Sequence, residues 1–307
     1  MNLLPFYEFI YDRQLIWHKR NVSKLPAPWT EDPVLSNNKF CNVYRELDRG
    51  SQYAINRFLS NPRIDSETKL FNTYAYRIFN LDKLFDGLLW ENLLDPRAFD
   101  FKAEEARLDA YKACGKAMYS DAYTITQTVW NKEYGKKGKH IQVLLGMQWL
   151  AERITEYVGK IRSCNSPDVV IDTLREIPMV GPFLGGQIAL DLGYCGLSKF
   201  TNNDWIVVGP GAESGLEILF QRDKIPAKEL PQLVEKLYQV QKHWFEELRL
   251  QTGKEWLKIA LNNHTYPDLP RMDIQNSLCE FRKYHNINRS LKEDDFRCKH
   301  RIYRHVP

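Results

Sequence analysis

The sequence predicts an all-α protein, and three observations support this class. Apolar residues recur at helical spacing along most of the chain. No run of alternating apolar residues is long enough to predict a sheet. Proline and glycine cluster at a few places and divide the helical pattern into separate segments.

Each predicted helix has an apolar stripe that can face a core. The first covers residues 1–20 and is followed by Pro26, Pro28 and Pro33, which forbid regular helix. A glycine-lysine loop at 135–139 interrupts the middle of the chain. The remaining helices are predicted at 39–60, 71–89, 103–129, 141–162, 170–177, 183–192, 213–220, 229–250 and 273–284.

The composition is that of an ordinary folded protein, with 43% hydrophobic residues and a formal charge of +4. Basic residues cluster at 132–140, where Lys136, Lys137 and Lys139 are candidates for contacts with DNA phosphates; a solvated loop is the alternative. The six cysteines contain no C-x-x-C pair, and no apolar run approaches ~20 residues. We therefore expect a cytoplasmic monomer with no metal, cofactor or membrane contact.

The most specific local pattern is a short turn at 177–181 (IPMVG) between two predicted helices. A helix that begins at such a turn presents backbone N–H groups to an anion such as a phosphate. Met179, Val180 and Gly181 are therefore candidates for DNA contacts. Asp204 follows after the second helix and a loop.

A second pair of glycines, Gly209 and Gly211, precedes the predicted helix at 213–220. Backbone N–H groups at that helix start are also available to an anion. We include both glycines among the candidate DNA contacts, with a plain turn as the alternative.

The turn and the aspartate resemble those of the helix-hairpin-helix DNA glycosylase superfamily, with Met179 in place of the usual first hairpin glycine. The resemblance implies a helix-hairpin-helix DNA glycosylase-like bilobal fold. Its N-terminal helical part would cover 1–165, and its hairpin part with the C-terminal helices 166–307, with one shared cleft.

The same resemblance implies a catalytic role for Asp204. An ionised carboxylate can stabilise the oxocarbenium character that develops when an N-glycosidic bond breaks, or activate water. A helix cap or a turn residue is the alternative role for this aspartate. Gly185 and Gly186 stand where bifunctional members carry a Schiff-base lysine, so the implied product is an abasic site without strand scission.

Further motifs are distributed in order along the chain. They are 17–21 (WHKRN), 26–30 (PAPWT), 40–50 (FCNVYRELDRG), 181–184 (GPFL), 209–212 (GPGA) and 278–284 (LCEFRKY). Together they resemble the alpha-glutamyl/putrescinyl thymine pyrophosphorylases and the helical domain of phage 5-hydroxymethyluracil DNA kinases. Phage-defence glycosylases that act on glucosylated hydroxymethylcytosine look related. The resemblance implies double-stranded DNA with modified bases as the partner.

Polar residues in or beside these motifs are the candidate substrate-binding residues. They are His18, Arg20, Arg45, Asp48, Arg49 and Trp205. In the predicted helix at 39–60, Arg45, Asp48 and Arg49 would share one face, where Asp48 can orient a guanidinium toward a phosphate or a base edge. An ionic lattice is the alternative for these three, and a surface tether for His18 and Arg20.

The predicted function is that of a monofunctional DNA glycosylase. It would flip and excise a hypermodified pyrimidine, such as glucosylated hydroxymethylcytosine, from phage DNA in anti-phage defence. The sequence has no G-x-x-x-x-G-K-[ST] motif, so the kinase resemblance does not bring phosphoryl transfer with it. One alternative is a transferase that displaces pyrophosphate from an activated 5-hydroxymethyluracil with an amine or amino acid. The other is a non-catalytic DNA-binding module.

Overall fold

The computed structural model of the chain describes residues 2–87, 93–120, 138–204, 207–257, 260–261, 264–265 and 268–293. These residues are mainly helical, which confirms the all-α class. The helices are α1 Leu4–Asn21, α2 Pro33–Asn37, α3 Arg49–Ala54, α4 Ser66–Phe79, α5 Asp82–Gly87, α6 Phe101–Ala113, α7 Lys139–Ala151, α8 Ile154–Ser163, α9 Pro167–Arg175, α10 Pro182–Tyr194, α11 Pro210–Phe220, α12 Leu230–Thr252 and α13 Arg271–Glu293.

Two very short strands, β1 Ala260–Leu261 and β2 His264–Thr265, lie between α12 and α13. They pair antiparallel, with Ala260 opposite Thr265. Across the described part of the chain, no helix combines the length and apolar character needed to cross a membrane.

The chain forms two compact units. The terminal unit consists of residues 1–48 and 206–307, and the central unit consists of residues 49–205. These bounds differ from the expected parts at 1–165 and 166–307, because α1 belongs with the helices at the other end of the chain.

Contacts between α1 and the C-terminal helices build the core of the terminal unit. The Tyr7 hydroxyl donates a hydrogen bond to the Leu237 carbonyl of α12 at 2.7 Å. The Phe6 ring meets the Phe281 ring of α13 edge-on, with the centroids 5.4 Å apart. Both Phe6 and Tyr7 are fully buried, so the first helix cannot pack without the last two.

Helices α11 and α13 cross so closely that α11 needs glycine at the contact. A Cβ atom at Gly211 would overlap the Cys279 sulfur, and one at Gly215 would overlap the Leu278 carbonyl. The two glycines lie four residues apart and therefore share one face of α11. Packing within the terminal unit thus accounts for the small side chain at both positions.

A buried ion pair joins α4 to α10 in the central unit. The Arg77 guanidinium donates two hydrogen bonds to the Asp191 carboxylate, at 2.5 and 2.6 Å. Each side chain is 1% exposed, and Arg77 also donates to the Ser51 hydroxyl at 3.2 Å. A bidentate ion pair of this kind fixes the relative position of the two helices and also balances the two charges.

The single helix predicted at 39–60 is wrong. The segment instead contains a 3₁₀ turn at Arg45–Leu47, the short α3, and a π-helical turn at Ile55–Leu59. Asp48 interrupts the helix with extended backbone, since its carboxylate accepts a hydrogen bond from the Asn42 N–H at 2.8 Å. Local bonding by aspartate competes with helix in this way.

Other predicted helices are confirmed with different ends. The helix predicted at 71–89 breaks at Asn80, which takes a left-handed conformation that asparagine tolerates. The one predicted at 141–162 is divided between α7 and α8. Helix α6 covers the start of the stretch predicted at 103–129, whose residues from 121 onward lie outside the described residues.

Replacing Asp191 with alanine should lower the free energy of unfolding by about 3–5 kcal/mol, because Arg77 would stay buried with an uncompensated charge. The double variant Arg77→Met/Asp191→Leu should recover most of that loss. As a control, Arg175→Ala removes an exposed ion pair with Asp172 and should change stability by less than about 1 kcal/mol. Urea denaturation followed by circular dichroism measures all three. A loss in D191A no larger than in R175A would contradict the role of the buried pair.

The substitution Gly215→Ala should destabilise the terminal unit by about 1–3 kcal/mol or more, because the added methyl group meets the Leu278 backbone. The matched control is Gly159→Ala in α8, where the methyl group enters open space and should stabilise the helix by about 0.5–1 kcal/mol. Thermal unfolding of both variants tests the contrast. Equal midpoints for the two variants would show that α11 and α13 do not cross as described.

Candidate functional site

The hairpin between α9 and α10 has the backbone of a tight turn. The Val180 N–H donates to the Ile177 carbonyl at 3.2 Å, with Pro178 second in the turn and Met179 third at φ +70°. Proline followed by a positive φ is typical of a type II turn. Met179 thus adopts the left-handed conformation for which glycine is favoured, in spite of its side chain.

Gly181 directly precedes α10 and lies at the surface. Its φ and ψ are −86° and 175°, so its backbone is extended, and no atom lies within 4 Å of the place a Cβ would occupy. Pro182 follows as the first helical residue, and no side chain caps this helix start. The hairpin therefore offers an open glycine at the positive end of a helix dipole.

The hairpin is held from beneath by a buried tyrosine. The Tyr74 hydroxyl of α4 donates to the Pro178 carbonyl at 2.8 Å. Burial raises the pKa of Tyr74 far above its ordinary value, so the hydroxyl keeps its proton. Gly146 of α7 leaves the space for this hydroxyl, since a Cβ there would overlap it. The turn is thus fixed by α4 and α7 rather than by its own residues alone.

Asp204 lies at the end of the central unit and is exposed. Its carboxylate accepts hydrogen bonds from the Thr201 N–H and the Thr201 hydroxyl, both at 2.8 Å. The Asp204 N–H returns a bond to the Thr201 carbonyl at 2.9 Å. These are the bonds of a turn residue, which was the alternative role for this aspartate.

The predicted grouping of Arg45, Asp48 and Arg49 on one helical face is wrong. Arg45 pairs with Asp48 at 3.2 Å, whereas Arg49 pairs with Asp82 at 3.1 Å in the central unit. Burial raises the pKa of Asp48, and the Arg45 charge opposes that shift. Arg45 also donates its backbone N–H to the Asp273 carboxylate at 2.7 Å.

The remaining candidates for DNA contact have different surroundings. Lys139 is the first residue of α7, with its ammonium 4.2 Å from the centre of the Tyr119 ring, and burial lowers its pKa. Gly209 precedes the first turn of α11, and Gly211 lies within it. Trp205, Lys136 and Lys137 lie outside the described residues.

A cavity of about 480 Å³ lies within the terminal unit. Its lining comes from residues 13–21, 27–30 and 35–42, so it takes in parts of three of the segments quoted for the family resemblance. Arg20 lines it, with its guanidinium carbon 5.4 Å from the centre of the Trp29 ring. His18 is not among the lining residues, and its ring contacts the Ser23 hydroxyl at 3.3 Å.

Arg13 is a lining residue that the sequence patterns did not single out. Its side chain is 4% exposed and lies over the Phe9 ring, 5.1 Å from the centroid. The guanidinium donates to the Cys41 carbonyl and, at 3.5 Å, to the Ser277 hydroxyl, while its Nε has no partner. Burial lowers the pKa of Arg13, because it penalises the charged form. A signal for this residue does exist in the sequence, since Arg13 shares a helical face with Phe6, Ile10 and Trp17.

An all-α protein with a hairpin at a helix start is the class that these observations define. A family described as "5-hmdU DNA kinase, helical domain" matches residues 3–293, and the chain belongs to this family. The 5-hmdU DNA kinase of Bacillus phage SP10 is 30% identical over 228 residues, which are 69% of this chain and 35% of that protein. The match thus spans about a third of the relative's length. No solved structure matches the chain.

These comparisons confirm the resemblance to the kinase helical domain and overturn the predicted reaction. The named relative is a kinase, which transfers a phosphoryl group, so the predicted monofunctional glycosylase is wrong. The displacement of pyrophosphate by an amine is also a different reaction from the one its name describes. The modified nucleoside in that name is 5-hmdU rather than glucosylated hydroxymethylcytosine. The hairpin and Asp204 led to the wrong reaction. A turn followed by a carboxylate at a given spacing does not specify which reaction a protein catalyses.

The stability of the terminal unit should fall as the pH rises through neutrality. Glu46, in the turn beside Arg45, is 3% exposed, and burial raises its pKa from 4.5 to about 7. Because the folded state holds the proton more tightly, this contribution is complete below pH 4.5 and is lost as the pH passes 7. Glu46→Gln should remove about 1–2 kcal/mol of the stability difference between pH 4.5 and pH 8.

Urea unfolding at the two pH values measures this difference. Glu31→Gln removes an exposed carboxylate and should leave the difference as in the wild type. An unchanged difference in E46Q would mean that Glu46 is not the group responsible.

Proposed function

We propose that this chain serves the phosphorylation of 5-hydroxymethyluracil in DNA, and that its part in the reaction is to bind the DNA that carries the modified base. Membership of the 5-hmdU DNA kinase helical-domain family, over residues 3–293, is the observation that carries the proposal. The name of the phage SP10 relative supports the same substrate class.

The hairpin supports the DNA-binding part of this proposal. We infer that α9, the turn and α10 form a helix-hairpin-helix unit, as in the glycosylase-like fold to which the sequence is similar. A phosphate that approaches Gly181 would meet no side chain there and would benefit from the α10 dipole. Tyr74 and the Arg77–Asp191 pair hold this surface rigid before the DNA arrives.

The chemistry of the kinase reaction requires a phosphoryl donor and a nucleophilic hydroxymethyl group on the base. Positioning is most of what a protein contributes to phosphoryl transfer. A helical domain that grips the DNA backbone would contribute by fixing where the hydroxymethyl group lies. The formal charge of +4 is compatible with such a polyanionic partner.

The test is fluorescence anisotropy with two labelled duplexes that differ in one base, 5-hydroxymethyluracil or thymine. The wild-type chain should bind both, more tightly to the modified duplex, with an affinity that falls steeply as salt increases. Gly181→Ala should weaken binding to both duplexes by about tenfold while the fold stays intact, because the methyl group would stand between the backbone and a phosphate. Gly159→Ala, which also projects into open space, is the matched control and should bind as the wild type does.

A second measurement distinguishes DNA binding from phosphoryl transfer to the base. The same duplexes are incubated with radiolabelled ATP and the chain, and the nucleosides are examined for a phosphorylated hydroxymethyl group. The proposal would be overturned if the chain binds the modified and unmodified duplexes with equal affinity and G181A binds them as tightly as the wild type does.

A further inference from the structure

We infer that the cavity in the terminal unit binds a nucleotide, with the base stacked on tryptophan and the phosphate bound by arginine. The inference does not depend on the hairpin, since it depends on residues of the terminal unit alone. Its volume of about 480 Å³ lies in the range of pockets that hold small organic ligands.

The charge of the lining favours an anion. Among the described residues that line the cavity, Arg13, Arg20 and Lys39 are cationic and none is aspartate or glutamate. Arg13 is 4% exposed and its Nε has no hydrogen-bond partner. The charges of Glu280 and Asp48 favour its charged form, but among the described residues neither carboxylate forms an ion pair with Arg13. A buried charge without a paired partner is costly unless a ligand completes it.

The same lining offers aromatic surface for a base. Trp17 and Trp29 both line the cavity, and each is half-buried, so part of each ring can be reached. The Trp29 indole N–H donates to the Leu25 carbonyl at 2.8 Å, and the Lys19 ammonium donates to the Trp29 carbonyl at 2.9 Å. These two bonds hold the Trp29 ring and its backbone in place before a ligand binds.

Arg20 links the two kinds of recognition. Its guanidinium lies beside the Trp29 ring and lines the same cavity. A guanidinium that stacks on an aromatic ring can bind a phosphate through its N–H edge, while its flat face enlarges the surface on which a base can stack. A flat aromatic group that carries a phosphate satisfies both features, and nucleotides are that class of molecule. Two sources provide it: a free nucleotide, or a nucleotide within a DNA strand.

Binding of free nucleotides tests the inference directly. Tryptophan fluorescence and calorimetry would follow titration with 5-hydroxymethyl-2′-deoxyuridine 5′-monophosphate, thymidine 5′-monophosphate, ATP and inorganic phosphate. At least one nucleotide should bind at least tenfold more tightly than inorganic phosphate, because phosphate cannot stack. Trp29→Ala and Arg20→Ala should each weaken that binding by about tenfold or more.

Matched controls come from the central unit, where Arg153 lies over Trp149 at 4.6 Å in a similar stack. Trp149→Ala and Arg153→Ala should bind nucleotide as the wild type does. Arg13→Met would test the buried cation but can fail to fold, which is why the partly exposed Trp29 and the exposed Arg20 carry the test. Lys228→Ala removes an exposed charge of the terminal unit outside the lining and controls for general electrostatics.

Competition with single-stranded DNA that contains 5-hydroxymethyluracil distinguishes the two sources. Displacement of the bound nucleotide by this strand would assign the cavity to DNA, and simultaneous binding would assign it to a free nucleotide. Either result requires a nucleotide site.

The inference is overturned if no nucleotide binds, if phosphate binds as tightly, or if binding is unchanged in W29A and R20A. Because Gly181→Ala lies in the other unit, it should leave nucleotide binding intact, so the two proposals fail independently.

Discussion

The arrangement of the central unit depends on one buried ion pair. Arg77 and Asp191 are almost fully excluded from solvent, and their two hydrogen bonds hold α4 against α10. Since α10 begins at the hairpin and α4 also supplies Tyr74 beneath it, one helix fixes both the turn and the helix that follows. A surface that meets a phosphate benefits from such rigidity, because little ordering remains to be done on binding. The polar core of this unit thus positions the open backbone at Gly181.

The two buried arginines of the described residues have different surroundings. Arg77 forms an ion pair with a carboxylate on a neighbouring helix. Arg13 contacts a carbonyl, a hydroxyl at 3.5 Å and an aromatic ring, and Glu280 and Asp48 act on it through their charge without an ion pair among the described residues. Core packing explains the first without any ligand. The second is best explained by the cavity that it lines, where an anion would complete its bonding. The difference in pairing, rather than burial itself, distinguishes the two arginines.

Much of the helical pattern could be predicted from the sequence, since an apolar stripe requires little beyond local spacing. The long helices α1, α12 and α13 follow from their stripes, and Pro182 marks the start of α10. The segment 39–60 could not be predicted, because Asp48 bonds to Asn42 and Arg45 in a way that periodicity does not reveal. The cavity of the terminal unit was not predicted from the sequence, and the substrate-binding role of Arg20 stays a prediction. Arg20 belongs to one of the family motifs, so the sequence indicates it as a candidate. Arg13 lies on an apolar helical face, and only the cavity beside it gives that charge a role.

The terminal unit is assembled from two stretches of chain that are separated by the whole central unit. On the ribosome, α1 emerges before the central unit, yet Phe6 and Tyr7 are buried only against α12 and α13, which emerge after it. The central unit is complete by residue 205 and can fold while the rest is still being synthesised. Translation therefore leaves the apolar face of α1 without its packing partners while the whole central unit is being made. The order of synthesis thus separates the formation of the α1 stripe from the burial of that stripe by the synthesis of about 157 residues.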